Sequence, residues 1–191
     1  MTTSLRLSQD ESADDLLARS PFALMVGMLL DQQFPMERAF AGPYVLAQRL
    51  GHEPDAAEIA AMDPERLVEI FAEPPVIHRY PRSMAERVQQ LAQTIVADYD
   101  GDPEKIWRDA STGAELVKRL NALPGYGKQK AQIFTALLGK QLGVQPSGWR
   151  EAAGHYGDEG SRRSIADITG PDSLAEVRAF KKEQKAKSAS K

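Results

Sequence analysis

Cysteine is absent from the 191 residues, which excludes disulfides, a cysteine-ligated iron–sulfur cluster and a thiol nucleophile. Histidine is scarce, and His52, His78 and His155 are scattered, which argues against a histidine-rich metal site. Long apolar runs are missing as well. The richest, Phe22–Leu30, is too short to span a bilayer, and Met1–Leu7 lacks the apolar region of a signal peptide. The expectation is therefore a cytoplasmic protein without a membrane partner. Strand-type alternation is absent apart from one candidate at Ser4–Leu7, and neither a repeat nor a long linker interrupts the chain. An all-α fold follows.

The acidic excess is small: 24 Lys and Arg against 27 Asp and Glu give a net charge of −3. That balance argues against a protein that coats nucleic acid without selectivity, but distribution matters more than the sum. Between Leu116 and Gln141 every charged residue is basic: Lys118, Arg119, Lys128, Lys130 and Lys140. The tail is basic too, with Arg178, Lys181, Lys182, Lys185, Lys187 and Lys191 against Glu183. One-signed stretches of this kind predict an electrostatic footprint.

Helix signals run along the chain. Ser8 and Glu11 read as a capping box opening a helix to Ala18, and Ser20-Pro21 caps a second helix, Phe22–Gln33. That second helix is apolar almost all round, so it is expected at the centre of the core. Its end, Asp31-Gln32-Gln33, either surfaces or lines a cleft with amides and a carboxylate. Helices follow from Pro35 to Leu50, with a bend expected at Gly42-Pro43, then at Asp55–Met62 and Asp63–Glu73. The stretch from Pro74 to Pro81 reads as a stiff exposed loop with an aromatic and two potential cations. Helix returns over Arg82–Asp98, with Met84, Val88, Leu91, Ile95 and Val96 on one face. Asp102-Pro103 opens a short helix, Ser111-Thr112 caps another, and Ser173–Lys182 forms the last.

The stretch Leu123-Pro124-Gly125-Tyr126-Gly127, followed by Lys128-Gln129-Lys130-Ala131, lies between two helical patterns. Its two glycines permit a tight turn with positive φ. The turn opens onto a helix N-terminus, where amide groups and the dipole favour an anion. A phosphate fits that description. A helical corner with solvated lysines fits it equally well.

This run resembles the helix–hairpin–helix element of the DNA glycosylase superfamily, with its pattern L-P-G-φ-G-x-x-T/K-A. Leu24–Gln33 is similar to the buried helix of that family, which ends in a glutamine upstream of the hairpin. The resemblance covers about Phe22–Gly143 and is in particular to short bacterial members without a cluster. It implies two helical subdomains flanking a cleft: residues 22–142, with the hairpin element at 113–142, and residues 1–21 together with 143–191. It also implies that Gly125, Gly127 and the amides near Lys130 hold a phosphate, with a monovalent cation on hairpin carbonyls and no metal on side chains. Gln33 would enter the duplex when a base is flipped out. Arg79 and Tyr80 would contact the opposite strand, with Leu123, Pro124, Tyr126 and Lys128 completing the DNA contacts and Tyr126 open to stacking. A monomer on double-stranded DNA, associated with the nucleoid and without cofactor, is the expectation.

The departures concern catalysis. The aspartate of the family follows the hairpin by about twenty residues, yet Gly143-Val144-Gln145-Pro146-Ser147-Gly148-Trp149 contains no carboxylate. The lysine nucleophile of bifunctional members is replaced by Gln129, which argues against Schiff-base lyase chemistry. Cleaving a glycosidic bond develops oxocarbenium character, so a carboxylate near the sugar is needed. Asp31 is the candidate. Asp158, with Glu159 and His155 beside it, is the alternative. Two functions follow: a monofunctional glycosylase acting on a damaged or mismatched base, or a non-catalytic DNA-binding module that keeps the scaffold.

Overall fold

The computed structural model describes residues 4–191. It is 66% helical, and the described residues contain no strand, so the chain is all-α as expected. Ser4–Leu7 is irregular rather than a strand, with Leu5 and Leu7 buried. Among the described residues no helix is long and apolar enough to cross a membrane.

The chain forms two compact units. The first runs through Asp109 and includes Ala122–Tyr126. It contains α1 (Glu11–Arg19), α2 (Pro21–Leu30), α3 (Met36–Leu50), α4 (Ala56–Ala61), α5 (Pro64–Ala72), α6 (Pro81–Tyr99) and α7 (Lys105–Arg108). Every residue of α2 from Phe22 to Leu30 is buried, and each large apolar side chain so buried contributes about 1.5–3 kcal/mol. Ser20 caps it by accepting the Ala23 N–H at 3.1 Å, and Pro21 supplies a preset φ. The helix ends at Leu30, three residues before the expected Gln33. Asp31 leaves helical geometry (φ −75°, ψ 68°), and Phe34 precedes a proline, which disfavours helical backbone.

Other expectations shift in the same way. Helix α3 continues through Pro43 without a break. Helix α6 buries Met84, Val88, Leu91 and Ile95, but Val96 is 39% exposed. The N-cap of α1 is Asp10, which accepts the Ala13 N–H, rather than Ser8. Ser8 instead donates both its N–H and its hydroxyl to Oδ1 of buried Asp14, each at 2.8 Å.

The second unit contains α8 (Gly113–Asn121), α9 (Lys128–Gln141), α10 (Trp149–Ala152), two 3-10 turns at Gly154–Gly157 and Ile165–Asp167, and α11 (Pro171–Ala189). Helix α9 is its core. Trp149 lies so close to Gly139 that a Cβ there would come within 2.4 Å of the indole. Helix α11 extends well past the expected end at Lys182.

The expected division of the chain is therefore corrected. Residues 4–21 do not join the C-terminal part, because α1 packs on α2 and α3 and buries Leu16 and Leu17. The two hairpin helices belong with the C-terminal elements, since α10 and both 3-10 turns pack on α9.

Burial raises the pKa of Asp14 above its ordinary value, opposed by the Ser8 hydrogen bonds and by Arg6. A carboxyl with a raised folded pKa costs stability while ionised, and that cost is relieved as pH falls through the folded pKa. Wild type should therefore gain stability relative to Asp14→Asn as pH is lowered from neutral towards the unfolded carboxylate range. Urea denaturation of both proteins over a pH series checks this.

Candidate nucleic-acid interface

The hairpin is shaped by one glycine. Gly125 has φ +80°, a left-handed backbone that side-chain-bearing residues adopt at a cost, and the Tyr126 N–H closes the turn onto the Leu123 carbonyl at 3.1 Å. Gly127 needs no such freedom: it is extended, with φ −76° and ψ 176°, and acts as N-cap of α9. It brings no capping side chain, and a Cβ at Gly127 would meet nothing within 4 Å.

Two expected DNA contacts point inward. Leu123 is 4% exposed and Tyr126 3%, and the Tyr126 hydroxyl donates to the Met25 carbonyl of α2 at 2.7 Å. Burial holds that phenol well above its ordinary pKa, so it stays protonated. Tyr126 is an anchor and is not available to stack on a base. A Cβ on Gly125 would lie 3.0 Å from Leu29. The hairpin loop thus runs along α2 from Met25 to Leu29, towards the end where Asp31 and Gln33 lie. Gly125, Gly127 and Lys128 are exposed, with Pro124 and Lys130 half-buried. Tyr126→Phe should cost about 1 kcal/mol of stability, read as a lower urea midpoint at unchanged slope.

The polar end of α2 is a loop held from behind. Gln33 is exposed and left-handed at φ +52°, which is uncommon for a residue other than glycine. Asp31 is half-buried at the C-cap, its N–H bonded to Gly27 and Met28 carbonyls. Gln32 donates to the Leu29 carbonyl at 2.7 Å and accepts from Arg87 of α6 at 2.9 Å. Arg38 stacks over Phe34, with its guanidinium carbon 4.7 Å from the ring centre. Gln33, Phe34, Arg38 and Arg79 line one surface cavity of about 480 Å³, which brings together two of the residues expected at DNA. Tyr80, the third, is 45% exposed. His78, expected as an exposed cation, is instead fully buried.

In the second unit, the segment where the family aspartate is expected serves packing. Gln145 donates to the Gly139 carbonyl at 2.9 Å, the Ser147 carbonyl accepts the Gly113 N–H at 2.8 Å, and Trp149 closes over α9. Gln129 donates to the Tyr156 hydroxyl at 2.8 Å. Asp158, Glu159 and His155 line a shallow cavity with Arg150, and His155 stands 3.3 Å from Asp158. All three are exposed. The acid-free stretch contributes less free charge than its sequence implies, because Arg119 pairs with Glu115 and Lys140 with buried Asp167, each at 2.6 Å. Lys118 and Lys128 are left exposed.

Two helices, α8 and α9, joined by a glycine turn form a helix–hairpin–helix element, the motif of a class of DNA-binding proteins. Residues 26–187 match the description "HhH-GPD superfamily base excision DNA repair protein", and the chain belongs to that superfamily. Proteins of that superfamily bind DNA, and membership points to base excision repair. No curated protein matches the chain.

Local patterning does not mark His78, Arg38 or Arg87 as parts of this surface. Their roles depend on loops and helices brought together across tens of residues. The proline-bounded stretch around His78 is the one signal that could have drawn attention to it.

Proposed function

We propose that this protein is a monofunctional DNA glycosylase acting on a damaged or mismatched base in duplex DNA. The observation that carries this reading is the seating of the hairpin on α2, the helix that leads directly into Asp31 and the left-handed Gln33. In this reading, amides at Gly125 and Gly127 and the first turn of α9 hold a phosphate next to the target nucleotide, with Lys128 and Lys130 adding charge. Gln33 fills the space of the extruded base, and Arg79 and Tyr80 meet the other strand. Asp31 faces the sugar and stabilises the oxocarbenium charge that develops as the glycosidic bond breaks. With glutamine at position 129, the chain lacks the lysine that would form a Schiff base, and with no cysteine it works without an iron–sulfur cluster. The protein acts as a monomer in the nucleoid.

The absence of a carboxylate from residues 143–149 favours a second reading, in which the scaffold recognises DNA without chemistry. Duplexes carrying single uracil, alkylated, deaminated or oxidised bases separate the two. The glycosylase reading expects strand scission at one modified base only after alkali treatment. Scission without alkali would contradict monofunctional chemistry.

A further inference from the structure

His78 is fully buried although the two residues that follow it in a surface loop, Arg79 and a Tyr80 that is 45% exposed, both face solvent. Both ring nitrogens are used. Nε2 is within 3.1 Å of the Leu30 carbonyl and 3.0 Å of the Gln32 carbonyl, and Nδ1 accepts the Tyr80 N–H at 3.0 Å. Two acceptors at one nitrogen and a donor at the other assign the proton to Nε2. The ring therefore clamps two loops by their backbones: the one that carries Gln33 and the one that carries Arg79 and Tyr80. Phe34 covers the imidazole at 4.6 Å between ring centres, and Arg38 in turn covers Phe34. Arg87 holds the same Gln32 from outside through its side-chain oxygen at 2.9 Å.

The clamp explains how Gln33 keeps a left-handed backbone at φ +52° while its side chain is exposed. Such conformations persist where the surrounding structure over-determines them. A side chain that enters a duplex must also displace stacked bases, which a loosely held loop does poorly because it loses its own freedom at the same moment. We infer that His78 is a positioning residue that joins the Gln33 loop and the Arg79–Tyr80 loop into one rigid element for entering DNA. The inference rests on the reading of Gln33 given under Proposed function. His78 itself touches no DNA in this account.

Two substitutions divide the clamp. His78→Gln places an amide near the position of Nε2 and keeps the hold on the Leu30 and Gln32 carbonyls. His78→Asn places an oxygen near the position of Nδ1 and keeps the hold on Tyr80. In the free protein, His78→Gln should accelerate hydrogen exchange of the Tyr80 amide, and His78→Asn should mobilise the Gln33 amide in ¹⁵N relaxation. On a duplex in which 2-aminopurine faces an abasic-site analogue, both variants should lose the fluorescence rise given by wild type. Their affinity for an undamaged duplex should stay at the wild-type level. Wild-type fluorescence in both variants, or loops that move no more than in wild type, would overturn the proposal.

If both variants fail to fold, the wild-type protein decides the matter. A through-hydrogen-bond coupling between the Tyr80 amide nitrogen and His78 Nδ1 should be present and should survive DNA binding, and its loss in the complex would overturn the proposal. A wild type with coupled loops but no fluorescence rise would count against Gln33 insertion rather than against the clamp.

Discussion

Asp31→Asn protein is expected to bind duplex DNA as tightly as wild type and to release its target base about 10²–10⁴-fold more slowly, the range that a positioned acid–base group contributes. Asp31 sits at the C-cap of α2, half-buried, with its backbone N–H bonded to the Gly27 and Met28 carbonyls. Asparagine keeps the size of the side chain and leaves those backbone bonds alone. It removes the negative charge that would stabilise an oxocarbenium ion. The other carboxylate to compare is Asp158, exposed beside His155 in the second unit. Asp158→Asn is expected to keep wild-type release. Single-turnover release rates beside equilibrium affinities separate the two carboxylates, and a reversed pattern would move the catalytic role to Asp158.

The second large effect distinguishes the two hairpin glycines. Gly125→Ala must place a side chain in a left-handed backbone, at about 1–2 kcal/mol, with its Cβ 3.0 Å from Leu29. It should lower both the thermal midpoint and duplex affinity, because the turn that aligns the phosphate site is distorted. Gly127→Ala is different. Its backbone is ordinary and a Cβ there meets nothing within the protein, so stability should be unchanged. The added methyl group would project into the open space where a phosphate is expected, and affinity should fall about tenfold or more, which corresponds to about 1.4 kcal/mol. Calorimetric midpoints and binding isotherms at one fixed salt concentration check both variants. Intact affinity in Gly127→Ala would contradict the assignment of the phosphate to this turn.

The sequence made the helices readable where capping is local. Ser20-Pro21, Asp55 and Asp63-Pro64 open helices where expected because a side-chain oxygen, and in two of them a following proline, act within one turn. The hairpin was readable for the same reason, since turn geometry depends on adjacent residues. Features set by distant partners were not. The end of α2 depends on His78, 48 residues away from Leu30. Tyr126 looks like a stacking residue until Met25, 101 residues earlier, is found as its acceptor. The basic stretch from Leu116 to Gln141 looks uniformly available, but Asp167 and Glu115 neutralise part of it. The grouping of α1 with α2 and α3 rests on packing that no local pattern records.

Detection of free base tests glycosylase chemistry without relying on strand cleavage. Wild-type protein is incubated with a panel of duplexes, each holding one modified or mismatched base, and the small-molecule fraction is analysed by mass spectrometry. One class of free base should be released, with the DNA strand intact and an abasic site left behind. Tight binding to the same duplexes with no base released from any of them would contradict the claim of glycosylase chemistry.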